Sequence, residues 1–262
     1  MVATPTTTTL TVAGCKTHLR RAGRGRPVLW LHGGGGVTAW APFMDRLSDS
    51  YELIVPDHPG FGRSDMPAWL DDIEDCAFFY LDLIEALGLE RLHLAGNAIG
   101  AWMAAELAIR DTSRLATLTL VGAAGIRVKG VRKADPFMMS EEEHVRALFH
   151  NPSFAEARLK AKRSEEEEDI ALRNEFTFAR LAWEPRFFSP HLEKWIHRIK
   201  LPTLIVWGEG DRMFSVPHAA AWHRLIAGSR LEIYAQCGHL PHIEKADQFV
   251  ATFTRFAEEK RS

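Results

Sequence analysis

The sequence predicts an α/β fold: a mostly parallel, doubly wound sheet with a helical cap inserted into it. Three observations predict it. Short, continuously apolar runs such as Pro27–Leu31 read as strands buried on both faces. Those runs alternate with helical patterns, which is the order of a parallel sheet flanked by helices. The alternation is interrupted once, from about Arg127 to Lys200, by helical sequence without a strand. The expected division is a core of residues 1–126 and 201–262, with a helical cap of residues 127–200.

The elements follow in order. Thr8 to Ala22 alternates apolar and polar residues around Gly14, a two-strand hairpin. Pro27–Leu31 is a buried strand ending in His32-Gly33-Gly34-Gly35-Gly36, and Thr38 to Leu47 reads as a helix. Tyr51 to Val55 is the next strand, closed by the loop composition Pro56-Asp57-His58-Pro59-Gly60-Phe61-Gly62. Asp57 reads as a turn residue bonding local backbone. Asp71 to Leu89 is an amphipathic helix with Ile73, Ala77, Tyr80, Ile84 and Leu87 on one stripe. Leu92–Ala95 is a strand, Ala98–Ile109 an alanine-rich helix and Leu115–Val121 a further strand.

In the inserted segment, Ser140 with Glu143 and Ser164 with Glu167 match the capping box. The run Glu165 to Glu168 reads as a solvated first turn favoured by the helix dipole. Phe137, Met138, Met139, Phe149, Phe176, Phe178, Trp183, Phe187 and Phe188 divide between packing the cap and lining a pocket. The sheet resumes with Pro202–Trp207, then a helix from Pro217 to Ile226, a strand from Arg230 to Tyr234 and a last helix from Ala246 to Glu259. There is no internal repeat.

Bulk properties exclude several classes. Hydrophobic residues make up 46% and charged residues 25% of 262 residues, as in a globular protein able to bury a core without staples. A formal net charge of −2 favours neither nucleic acid nor an anionic membrane. Cys15, Cys76 and Cys237 are scattered and show no metal-ligand spacing, which points to a reducing compartment. The polar stretch Met1–Thr9 lacks the apolar region of a secretory signal, and no run approaches the ~20 residues of a membrane span. The expectation is a soluble, cytoplasmic protein that binds a small molecule, without cofactor or metal; the oligomeric state is not legible.

The chemistry gathers at Gly96-Asn97-Ala98-Ile99-Gly100, between a strand and a helix. The spacing is that of a nucleophile elbow, Gly-x-Ser-x-Gly, whose flanking glycines leave room for a strained central residue. The central residue here is Ala98, which carries no nucleophilic atom. Three further motifs follow strands: His32-Gly33-Gly34-Gly35, Trp207-Gly208-Glu209-Gly210-Asp211 and Cys237-Gly238-His239.

Together, in this order, they resemble the α/β-hydrolase fold family over nearly the whole chain. The resemblance implies a serine-type site with its nucleophile position at Ala98. His239 is then the general base, and Asp211, ahead of Glu209, the acid that orients it. The oxyanion donors are the N–H groups of Gly34 and Ile99. His32, Gly33 and Asn97 support that loop. His242 falls near the pocket or a helix start without a catalytic role, and no carboxylate near His239 and His242 suggests a metal.

Hydrolysis of a carboxylic ester of a small hydrophobic or aromatic substrate is the default expectation. The alternative is a C–C bond hydrolase of ring-cleavage diketones, suggested by Gly96-Asn97, Cys237-Gly238-His239 and the stretch Ile243 to Phe249. That group has Trp after the histidine and Gly-Pro-Gly in the loop, where this chain has Leu240 and Gly35-Gly36-Val37. Ala98 itself has three readings. It is a deliberate replacement of a serine that abolishes turnover, a natural loss in a ligand-binding protein, or part of an enzyme that needs only His239 and Asp211 as a base.

Overall fold

The computed structural model describes residues 5–131 and 133–259. The start of the polar N-terminal stretch, residues 1–4, lies outside them. In chain order the elements are strands β1 (Thr6–Val12), β2 (Cys15–Ala22) and β3 (Arg26–Leu31), helix α1 (Pro42–Ser48) and strand β4 (Tyr51–Pro56). Helix α2 (Ile73–Ala86), strand β5 (Leu92–Asn97), helix α3 (Ile99–Arg110) and strand β6 (Leu115–Val121) follow. The inserted segment carries α4 (Glu141–Leu148), α5 (Pro152–Lys160), α6 (Glu165–Ala182) and α7 (Leu192–Trp195). The chain ends with β7 (Thr203–Gly208), α8 (Val216–Leu225), β8 (Arg230–Tyr234), α9 (Pro241–Glu244) and α10 (Ala246–Glu259).

All eight strands form one sheet in the order β1-β2-β4-β3-β5-β6-β7-β8. The β1–β2 hairpin pairs antiparallel, β2 pairs antiparallel with β4, and every later pairing is parallel. Successive side chains of a strand point to opposite faces, and both faces are covered. Leu29, Leu31, Leu94, Leu120 and Trp207 pack in the larger core with residues of α2, α3 and α8. Val28, Trp30, Ala95, Val121 and Val206 pack on the other face with residues of α1 and α10. That sandwich explains why the central strands read as unbroken apolar runs.

Three helix boundaries differ from the sequence reading. The helix expected from Thr38 begins only at Pro42, whose fixed φ suits a first turn, so residues 37–41 remain loop. The helix expected over 71–89 spans Ile73–Ala86, because Asp72 caps it by accepting from the N–H groups of Glu74 and Asp75. Ala98 is the N-cap of α3 and not its first residue. Both capping boxes of the inserted segment form, at Ser140 with Glu143 and at Ser164 with Glu167.

Candidate active site

The elbow sits at the C-terminal edge of β5, in the middle of the sheet, with Gly96 beside Leu31 on one side and Leu120 on the other. Ala98 has φ 52° and ψ −115°, a conformation that L-residues rarely adopt. The flanking glycines show why the turn tolerates no larger residue. A Cβ at Gly96 would lie 2.6 Å from the carbonyl of Gly100, and one at Gly100 would lie 2.2 Å from the Leu31 oxygen. The Ala98 N–H bonds the Val121 carbonyl at 2.9 Å, fixing the elbow to β6.

Asp211 follows β7 and His239 follows β8, so adjacent strands deliver the two to the same edge. His239 Nδ1 lies 2.9 Å from Asp211 Oδ2, and both side chains are buried. The other carboxylate oxygen, Oδ1, accepts the N–H groups of Met213 at 2.8 Å and Phe214 at 2.9 Å. Asp211 is thus held by its own loop and holds the imidazole in turn. With Nδ1 occupied, Nε2 is the ring nitrogen left for a ligand. The backbone of His239 is anchored by its N–H to the Leu148 carbonyl at 2.8 Å. Glu209, the weaker candidate acid, is exposed and apart from this pair.

Ala98, His239, Asn97, Ile99, His32, Gly33 and Gly34 all border one cavity of about 390 Å³. No carbonyl among the described residues accepts the Gly34 or Ile99 N–H. Each glycine of the loop after β3 leaves room for a specific side chain. A Cβ at Gly33 would lie 2.7 Å from Asn97 Nδ2 and 3.5 Å from the Ala98 methyl. At Gly34 it would strike the Phe178 ring at 2.7 Å, at Gly35 it would meet Arg158 Nη2 at 3.3 Å, and at Gly36 it would strike Asn174 Nδ2 at 2.4 Å.

Two stacked imidazoles underpin this loop. His58 donates its backbone N–H to His32 Nε2 at 3.2 Å, so the His32 proton resides on Nδ1 and goes to the Gly33 carbonyl at 2.7 Å. His58 Nε2 in turn donates to the His32 carbonyl at 2.8 Å, and Tyr80 donates its hydroxyl to His58 Nδ1. Both rings are neutral: burial pulls His32 down to about 4 and His58 well below its ordinary value.

Asp57 is more than the turn residue expected. It does accept a local N–H, from Arg63 at 3.1 Å, but its main partners are Arg20 at 2.7 Å and His18 at 3.0 Å, both on β2. His242 lies on α9, buried among Trp30, Phe43 and Phe249 with ring centroids 5.0 to 6.1 Å away. It reaches the cavity wall, and burial lowers it to about 3.

Sequence reasoning missed Arg158 and His144, on α5 and α4, which also border the cavity. Neither side chain has a hydrogen-bond or ion-pair partner among the described residues. Arg158 is exposed, yet the protein around its guanidinium desolvates it and Arg163 repels it, which lowers its pKa. The nearby Glu141 is already paired with Arg163 at 2.6 Å. Burial and the positive charge of Arg158 lower His144 to about 4, so it is neutral. A charged residue on a surface helix carries no motif, so only the fold could bring it to the loop. Of the large apolar residues singled out, Phe178 and Phe187 reach the cavity, whereas Met138, Phe176 and Trp183 are exposed.

The chain is similar to known hydrolases in sequence and in fold. The chain is 29% identical to 2-hydroxymuconate semialdehyde hydrolase of Pseudomonas sp. (strain CF600), covering 94% of this chain and 92% of that one. It is 31% identical to 2-hydroxy-6-oxo-6-phenylhexa-2,4-dienoate hydrolase of Comamonas testosteroni, covering 88% and 87%. Among solved structures it superposes, with TM-score 0.75 and 25% identity over 96% of this chain and 97% of the other, on the meta-cleavage product hydrolase CumD of Pseudomonas fluorescens IP01. That structure is a serine-to-alanine mutant complexed with acetates. The model of the alpha/beta hydrolase family matches residues 28–252, and the chain belongs to that family.

Proposed function

We propose that this chain has the site of a C–C bond hydrolase for ring-cleavage diketones that bear a carboxylate. With Ala98 in the nucleophile's place, it binds such an acid without cleaving it. The observation that carries the reading is Arg158. A neutral ester offers an unpaired guanidinium in a largely apolar cavity only a carbonyl oxygen, whereas a carboxylate offers a charged, bidentate partner. The relatives are named for 2-hydroxy-6-oxo-2,4-dienoates and related acids. In those acids the carboxylate carbon and the oxo carbon are five bonds apart, about 6 Å when extended. Gly33, against the Ala98 methyl, and Gly35, against Arg158, are two residues apart, a span of at most about 7 Å. A dienoate with its acid end at Arg158 would run along this loop in the direction of the elbow, since both border the same cavity. The C–C reading, weighed above as the alternative, thus has better support than the ester reading.

In this reading His239 is the base, Asp211 orients it and stabilises its imidazolium, and the Gly34 and Ile99 N–H groups receive the oxyanion. His32, Gly33 and Asn97 hold the loop in shape, and residues 127–200 act as the cap that excludes water. In an Ala98→Ser chain the hydroxyl proton passes to His239 Nε2 as the oxygen bonds to the oxo carbon. Before this attack the dienol ketonises, losing its 2-hydroxyl proton and gaining one at C5. Collapse of the tetrahedral alkoxide then breaks C5–C6. The electron pair delocalises onto the C2 oxygen as a dienolate that takes the His239 proton, and water releases the acyl group as a second acid.

The test compares two substrates on the Ala98→Ser chain: a 2-hydroxy-6-oxo-2,4-dienoate and a neutral aryl ester of similar size. A kcat/KM at least 100-fold higher for the dienoate is expected. Equal or better turnover of the ester would replace this reading with the ester one.

A further inference from the structure

The α4–α5 junction is bonded directly to the loop that carries His239. Leu148 is the last residue of α4, and its carbonyl, beyond the reach of an intrahelical donor, accepts the His239 N–H at 2.8 Å. Gly238 fits against the same junction. A Cβ there would lie 2.6 Å from the Leu148 oxygen and 2.7 Å from the His150 nitrogen.

One carboxylate closes this contact. Glu244 is the last residue of α9, the short helix that follows His239. Its Oε2 accepts the Gly238 N–H at 2.5 Å. Its Oε1 accepts the N–H groups of His150 at 3.0 Å and Asn151 at 2.8 Å. The nearby Cys237 thiol is pushed up to about 12 by burial and by the Glu244 charge, so it stays neutral beside the carboxylate. Hydrogen bonds to a charged acceptor are roughly twice as strong as neutral ones. The two segments that Glu244 joins carry the two working ends of the site. Gly238 precedes His239. Asn151 is the N-cap of α5, and Arg158 stands about two turns further along that helix, about 10 Å. His239 and Arg158 both border the cavity, and Glu244 does not.

We infer that Glu244 is a positioning residue that holds the His239 loop and the start of α5 at a fixed separation, so that the base and the Arg158 guanidinium meet one substrate together. The inference rests on the carboxylate-binding role proposed for Arg158. Asp211 sets the tautomer and orientation of the imidazole, whereas Glu244 sets where α5 stands relative to it. In Glu244→Gln one carboxylate oxygen becomes an NH2 group, which cannot accept. At least one of the three N–H groups then loses its partner, and the tie between the two segments loosens. A small displacement of a positioned group is enough to slow a reaction that needs both ends aligned.

A double-mutant cycle of Glu244→Gln and Arg158→Met tests this. Calorimetry reads the binding of a 2-hydroxy-6-oxo-2,4-dienoate to the parent chain, which does not turn it over. Glu244→Gln should weaken binding about 10-fold with Arg158 in place and less than about 2-fold in the Arg158→Met chain. On the Ala98→Ser background, the same substitution should lower kcat for a neutral aryl ester about 10-fold and leave its KM unchanged, because the ester uses His239 and not Arg158. Equal losses of affinity with and without Arg158, or an unchanged ester kcat, would overturn the inference. So would a lower melting temperature with both readings unmoved, which marks a brace for the fold alone. A dienoate that fails to bind the parent chain would count against the C–C reading instead. The ester then carries the test of His239 placement: a fall in kcat supports it and no change overturns it. Should Glu244→Gln fail to fold, Glu244→Asp keeps the charge but is one methylene shorter, and the same comparisons apply.

Discussion

Arg20 Nη1 donates to Asp57 Oδ1 at 2.7 Å, and Nη2 of the same guanidinium donates to the Val37 carbonyl at 3.3 Å. A single β2 side chain thus ties the loop after β4 to the loop that borders the cavity. Asp57 is fully buried, so removing it strands a buried cation. Asp57→Ala is expected to cost about 3–5 kcal/mol in urea unfolding.

The Gly100 contact gives a sharper steric prediction. A Cβ there would lie 2.2 Å from the Leu31 oxygen, and both atoms are held by the sheet and by α3. Gly100→Ala should lower stability by roughly 3 kcal/mol or prevent folding, whereas Gly88→Ala, in open space, should cost about 1 kcal/mol from its positive φ alone. Thermal melts of the two chains compare them directly.

Acid should unfold the protein through its buried imidazoles. His32 is held at about 4 and His242 at about 3, against an ordinary 6.5. Below 6.5 the unfolded chain takes up protons that the folded chain refuses, so the stability they contribute is complete above 6.5. It is lost as pH falls toward 4 for His32 and toward 3 for His242, by up to about 1.4 kcal/mol per pH unit for each ring. His242→Phe fits the same aromatic surroundings and removes an Nδ1 that has no protein partner. Its urea midpoint should fall less steeply between pH 6.5 and 4 than the parent's.

The orienting role of Asp211 can be separated from its structural one. Its Oδ1 bonds to Met213 and Phe214 survive in an asparagine, but the amide cannot hold the Nδ1–H tautomer of His239. On the Ala98→Ser background, Asp211→Asn should lower kcat by about 10⁴ while leaving KM within a few-fold, by analogy with triad enzymes.

The sheet, the elbow and the pairing of His239 with Asp211 were legible because each rests on a local pattern. Apolar runs mark the strands, paired glycines mark the elbow, and the loop motifs follow the strand ends. What was not legible depends on distant contacts. The ion pairs of Asp57 reach back to β2, and Arg158 meets Gly35 across more than a hundred residues of chain. The tetraglycine run reads as an oxyanion loop in the sequence, but only the fold shows that Asn97, Phe178, Arg158 and Asn174 occupy the space its missing side chains leave. The start of α1 was misplaced because Thr38–Ala41 is helix-compatible in composition, and the loop geometry that opens the cavity overrides it.

The most direct measurement of the central claim is steady-state cleavage of a 2-hydroxy-6-oxo-2,4-dienoate by the parent chain, by Ala98→Ser and by Ala98→Ser with His239→Ala. The account predicts that the serine raises kcat by about 10⁴–10⁶ and that removing the imidazole abolishes the gain. A serine chain no faster than the parent, or a gain that survives without His239, would contradict it.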